Sequence, residues 1–141
     1  TDFCPDRPVP RAETAAFLVR AFDLPPAVGA EPYADDDGHA LEVQIAVLHA
    51  NGITAGCSIL RYCPEQGVTR AEMAAFLVRA FNLPPAEGAN QFTDVDDHFF
   101  SSEIAALGAS EITTGCTATK FCPDRLLTRA EMAAFLVRAL A

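Results

Sequence analysis

The chain repeats itself every 59 residues, and that period limits its fold more than any other feature. Arg11-Ala-Glu-Thr-Ala-Ala-Phe-Leu-Val-Arg-Ala-Phe22 returns over residues 70–81 and again over 129–140. A repeat of this size is one supersecondary unit, which buries its apolar face by packing against neighbouring copies. An aromatic-Cys-Pro stands upstream of each copy: Phe3-Cys4-Pro5, Tyr62-Cys63-Pro64 and Phe121-Cys122-Pro123. The other half recurs as well. Tyr33-Ala-Asp-Asp-Asp-Gly-His39 matches Phe92-Thr-Asp-Val-Asp-Asp-His98, and Ile45-Ala46 matches Ile104-Ala105. The sequence therefore reads as half a repeat (residues 1–28) and two whole ones (29–87 and 88–141). The missing half is expected upstream of residue 1.

Each whole repeat reads as two helices joined by a loop. The first is expected over residues 40–51, with Val43, Ile45, Ala46 and Leu48 broadly at helical spacing. Gly52 suits a left-handed cap at its end, with Ile53 as the hydrophobic contact. Glu111 stands at that place in the next copy and accepts positive φ less readily, which predicts a frayed or differently closed end.

The second helix opens on a capping box, Thr69-Arg-Ala-Glu72 and Thr128-Arg-Ala-Glu131, in which threonine caps and glutamate reaches back. Val68 with Met73, and Leu127 with Met132, have the spacing of a hydrophobic staple. Met73, Phe76, Leu77, Ala80 and Phe81 form an apolar stripe wide enough for more than one neighbour. Leu83-Pro84-Pro85 ends the helix, and in the first copy Pro10 replaces the threonine cap. Three such stripes can bury one another. The expected fold is all-α: tandem helix-loop-helix repeats in a pseudo-threefold arrangement around a central three-helix cluster.

Charge and cysteines narrow the function. The formal net charge is −9, which disfavours nucleic acid as a partner. No apolar run approaches the roughly 20 residues that span a bilayer. Charge is segregated: residues 29–56 and 83–115 carry acids but no lysine or arginine. Five cysteines suit an oxidising compartment. Cys57 with Cys63, and Cys116 with Cys122, are spaced to close small loops as disulfides. A zinc knuckle needs different spacing and usually a nearby histidine. Cys4 aligns with Cys63 and Cys122, so its own partner would lie before residue 1.

Catalytic and metal motifs are absent from the sequence: no nucleophile elbow, no metal-binding helix motif and no phosphate loop. Counted from Asp35 or Asp94, the twelfth position is Ala46 or Ala105 rather than the glutamate of an EF-hand, so helix capping and solvation account for the aspartates. No cofactor is expected. His39 and His98 recur and read as polar residues at the core edge, while His49 is unmatched and reads as incidental. Arg20, Arg79 and Arg138 lie near helix C-termini, where a cation is favourable.

Taken in order, Phe92-Thr-Asp-Val-Asp-Asp-His98, Glu111-Ile-Thr-Thr-Gly115, Phe121-Cys-Pro-Asp124 and Leu127-Thr-Arg-Ala-Glu131 resemble the landmarks of the S-layer-homology repeat. The resemblance runs over essentially the whole chain. It implies a pseudo-trimer around a three-helix core, secreted to the bacterial cell surface or wall. Its partner would be a cell-wall polysaccharide or peptidoglycan-linked glycan, often pyruvylated, bound in grooves between repeats. Carried over residue by residue, it implies ligand-binding roles for Arg11, Arg70 and Arg129, for Asp35 and Asp94, for His98-Phe99, and for Gly56 and Gly115. The family often has His-Trp where this chain has His98-Phe99 and His39-Ala40.

The arginines have a physical reading of their own. They sit at the first position of a helix, where the macrodipole disfavours a cation and free backbone amides favour an anion. A guanidinium beside such amides suits a carboxylate. The alternative is that they pair with the aspartate clusters between repeats. For the whole chain, the alternative to wall anchoring is a protein-binding or self-assembling module.

Overall fold

The computed structural model describes residues 2–141. It is all-α, with helices α1 (Arg11–Phe22), α2 (Glu42–Ala50), α3 (Arg70–Phe81), α4 (Ser101–Ala109) and α5 (Arg129–Leu140). Isolated backbone bridges, but no sheet, join the loops of the described residues. Contacts divide the chain into two compact units: Val9–Val68, and the segment up to Pro8 together with Thr69–Ala141. Within the first unit α1 packs on α2, and within the second α3 packs on α4.

The short helices bury less of their surface than their spacing predicts. Ile45, Val47 and Leu48 are buried in α2, but Val43 is 71% exposed. Val43 lies two residues from Ile45, or about 200° around the helix, and so faces away from it. The α2 terminus closes on left-handed Gly52 (φ 70°), which donates to His49 O at 3.0 Å while Ile53 N–H donates to Leu48 O at 3.0 Å.

The end of α4 departs from the sequence expectation. Glu111 adopts the same left-handed turn (φ 60°), and Glu111 and Ile112 make the equivalent bonds to Gly108 O and Leu107 O at 3.0 and 3.1 Å. The end is neither frayed nor differently closed. A left-handed non-glycine residue costs roughly 1–2 kcal/mol. Burial of Ile112 together with two satisfied carbonyls offsets it.

The long helices start as their capping residues dictate. Thr128 and Glu131 make both bonds of a capping box, and Thr69 Oγ1 accepts from Glu72 N–H at 3.1 Å. Pro10 supplies no side-chain cap to α1. At the other end Asp23 and Asn82 turn left-handed, and Leu24 and Leu83 N–H bond back to Val19 O and Val78 O before the proline pairs.

Cys57–Cys63 and Cys116–Cys122 are disulfides, with Cα–Cα separations of 6.0 and 6.1 Å. Cys4 is a free, exposed thiol with the same left-handed backbone as Cys63 and Cys122. Replacing Cys116 and Cys122 together by serine should lower unfolding free energy by about 2 kcal/mol, the loop-closure entropy of so short a ring. Urea unfolding checks this; a loss below roughly 0.5 kcal/mol would show that other contacts alone hold the loop.

Candidate functional site

The site begins at the first residue of each long helix. Arg11 Nε donates to Tyr62 O at 2.7 Å, Arg70 Nε to Phe121 O at 2.7 Å, and Arg129 Nε to Phe3 O at 2.8 Å. Each guanidinium also lies over the ring of the residue it bonds, 4.8, 4.8 and 5.0 Å from the centroid. Asp35 approaches the Tyr62 loop from the opposite side, accepting the N–H groups of Tyr62 and Cys63, both at 2.8 Å. Asp94 does the same for Phe121 and Cys122, at 2.9 and 2.8 Å. The peptides Tyr62–Cys63 and Phe121–Cys122 are therefore held by an arginine on the carbonyl and an aspartate on the amide. Burial raises the pKa of Asp35 and Asp94, but the paired amide bonds outweigh it and hold both carboxyls below the usual range.

Two sequence expectations change here. The backbone amides that were to attract an anion are already occupied. Arg11 and Ala12 N–H donate to Gln66 O and Pro64 O, Arg70 and Ala71 to Arg125 O and Pro123 O, and Arg129 and Ala130 to Arg7 O and Pro5 O. With the third amide of α3 and α5 taken by threonine, those helix starts offer no anion hole. Arg70 also does not pair directly with the aspartate cluster. Its carboxylate partner is Glu131, and Asp94 reaches it through the shared peptide.

Glu131 is a hub. One carboxylate oxygen accepts from Thr128 N–H and Oγ1, and the other is shared by Arg70 and Arg125. Burial raises its pKa, but the Thr128 amide and the two arginines outweigh that and hold the carboxyl below its usual range. Arg70 itself is 3% exposed and lies between the rings of Phe121 and Phe135. Desolvation lowers its pKa, opposed by Glu131.

The remaining candidates hold loops. Gly115 has φ 86°, and a Cβ there would come within 2.5 Å of Lys120 O and 2.6 Å of Phe92 Cε1; Gly56 meets the same limits at Arg61 O and Tyr33. Only glycine lets each disulfide loop close over its aromatic ring. His98 Nδ1 accepts from Phe100 N–H at 3.0 Å and Nε2 meets Asp124 at 2.8 Å, which ties the start of α4 to the loop before α5. His49 is not incidental, because its Nδ1 lies 3.2 Å from Tyr33 Oη. The next copy has Phe92 without a hydroxyl, and Gly108 in place of the histidine. Gln91 fills the space beside Gly108.

Two of the grooves formed by the described residues lie on the second unit. One, of about 190 Å³, is lined by Arg70, Thr113, Thr114, Gly115, Glu131 and Arg138, with Ala134 and Phe135 on its α5 wall. The other, of about 410 Å³, contains Phe99, which is 88% exposed, beside Asn90, Ser101 and Ser102. The structure thus brings Arg70 and Gly115 together and puts Phe99 elsewhere, while Asp94 and His98 line neither groove. Thr113, Thr114, Glu131 and Arg138 were not singled out for the site. A cation in the last turn of a helix is favourable on its own, so its position in the sequence does not mark Arg138 as a groove residue.

Residues 91–133, the span from the Phe92 landmark through α5's capping box, match the S-layer homology domain. Over 131 residues, 91% of the chain, it is 34% identical to a surface-layer 125 kDa protein of Lysinibacillus sphaericus. The chain belongs to the S-layer homology family. An S-layer protein of Bacillus thuringiensis subsp. finitimus is 30% identical over 141 residues, 96% of the chain. An endoglucanase of Bacillus sp. (strain KSM-635) is 33% identical over 92 residues, 65% of the chain. These S-layer homology repeats span only 11%, 17% and 10% of the three relatives.

Proposed function

We propose that the chain is a non-covalent, non-enzymatic anchoring module of a secreted protein, which holds its parent on the bacterial cell wall through an anionic, pyruvylated polysaccharide. The observation that carries this reading is the groove lined by Arg70, Arg138 and the Thr113-Thr114-Gly115 loop. It puts two cations and one carboxylate beside hydroxyls, on a chain whose net charge is −9. The excess positive charge favours a carboxylate locally. At physiological salt the acidic remainder is screened beyond about 8 Å. The names of relatives support the location: S-layer proteins, a middle cell wall protein of Brevibacillus brevis, and enzymes that share this part only over a fraction of their length. Buried Arg70 and its paired Glu131 form the framework of the groove, and no group in it is arranged as nucleophile and base.

The test is co-sedimentation of the oxidised chain with wall sacculi carrying a pyruvylated polymer, before and after acid removal of the ketal. Retention that disappears with the pyruvyl groups is the expected result. Retention unchanged by their removal would leave a wall anchor of different specificity. No retention on either preparation would overturn the anchor and favour a protein-docking module.

A further inference from the structure

The groove contains two arginines in opposite situations, and the difference identifies which of them meets a ligand. Arg70 is buried, stacked between two rings, bonded through Nε to Phe121 O and paired with Glu131. A carboxylate ligand would have to displace Glu131, whose oxygens also cap α5 and bind Arg125. Arg138 is exposed on the last turn of α5, and its guanidinium makes no ion pair or hydrogen bond among the described residues. Thr114 is likewise exposed with an unengaged hydroxyl, whereas neighbouring Thr113 is buried and accepts from Gly115 N–H at 3.1 Å. Both lie on this groove.

We infer that Arg138, with Thr114, makes the ligand contact in this groove, and that Arg70 belongs to its framework. The inference rests on the anchoring reading and adds its contact residues: the carboxylate borne on the sugar is gripped by the free guanidinium fork beside a hydroxyl donor. Such a fork binds a carboxylate through two parallel N–H···O bonds, which a lysine at the same place cannot reproduce. Because the Arg138 guanidinium makes no ion pair or hydrogen bond among the described residues, its removal should leave the fold intact. Arg70 has no such independence.

The experiment uses the full oxidised chain and its Arg138→Ala, Arg138→Lys, Thr114→Ala and Arg70→Lys variants. Each is measured for wall retention and for thermal midpoint. Arg138→Ala should weaken retention roughly tenfold or more, the usual effect of losing charge-assisted hydrogen bonds, with an unchanged midpoint. Arg138→Lys should fall between it and the wild type, and Thr114→Ala should show a smaller loss. Arg70→Lys should lower the midpoint. A second arm titrates the wild type with glucuronate and follows the Arg138 Nε–H and Thr114 amide by NMR.

Glucuronate shifts at Arg138 without wall retention would sink the anchoring role while sustaining this contact. Full retention by a folded Arg138→Ala chain, or glucuronate shifts confined to other residues, would overturn the inference.

Discussion

Replacing Asp36 with valine should stabilise the first unit by about 3 kcal/mol at pH 8, and should remove most of the fall in stability between pH 4 and 6. Asp36 is 0% exposed, and neither of its carboxylate oxygens has a hydrogen-bond partner among the described residues. Burial pushes its pKa from 3.8 to about 6, and the negative charges of Glu31, Glu42 and Asp35 add to the effect. Two nearby backbone donors are taken by those same carboxylates, since Gly38 N–H donates to Glu42 and Tyr33 N–H to Glu31. Between pH 4 and 6 the folded state therefore holds a proton that the unfolded chain has released. Stability falls as pH rises through that window, and the full penalty stands above it. The gap between 3.8 and about 6 corresponds to about 3 kcal/mol.

Position 95, one period later, tells what the niche accepts, since Val95 there is 1% exposed. Asp36→Val should raise the thermal midpoint by roughly 10 °C at pH 8. Asp36→Asn should flatten the pH dependence with a smaller gain, because an unpaired buried amide remains costly. Urea unfolding of all three chains at pH 4.5, 6 and 8 decides the matter. If the valine variant retained the wild-type slope from pH 4 to 6, the buried carboxyl would not be its source.

The second large effect is a loss. Glu131→Ala should destabilise the chain by about 4 kcal/mol. It removes the carboxylate that pairs with a nearly fully buried guanidinium, which by itself costs about 3–5 kcal/mol, and it undoes the capping box as well. Glu131→Gln should fall between, keeping acceptors for Thr128 and Arg70 without the charge. Equilibrium unfolding at pH 7 measures both. A loss below about 1 kcal/mol for the alanine variant would mean that Arg70 finds water or another partner when Glu131 is gone.

The pH trend here runs opposite to that of Asp36. Because the folded carboxyl sits below its ordinary value, Glu131 contributes stability above about pH 4.5, and this is lost as the pH falls further. Asp35 and Asp94 act in the same sense. Together with Asp36 they put the stability maximum on the acid side of neutrality.

Much of this architecture is legible in the sequence, because it is local. The threonine caps at Thr69 and Thr128, the proline stops and the six-residue cysteine spacing each act within a few residues. All of them appear where the pattern puts them. The site is less legible because it depends on contacts across tens of residues. Nothing near Arg70 in the chain reveals that carbonyls of Pro123 and Arg125 occupy its helix start, or that Glu131 is its counter-ion. An aspartate in the run Asp35-Asp36-Asp37 reads as a solvated residue. Only Val95 in the matching copy betrays that the middle one faces the core. Glu111 errs the other way: a sound local rule is overridden once Ile112 has a buried place to fill.

The doubly held peptide of each aromatic-Cys loop has a consequence for how such chains change over time. The aspartate and arginine that make these repeats recognisable are spent on keeping a loop shut, so either is needed whether or not a polymer is ever bound. A repeat whose adhesion has lapsed would keep its signature for as long as it had to fold. On the proposed ligand contact, recognition can drift independently at places the signature leaves open, as at residue 114, where threonine aligns with Ala55 one period earlier. Kinship and adhesive choice are thus written in separate sets of residues.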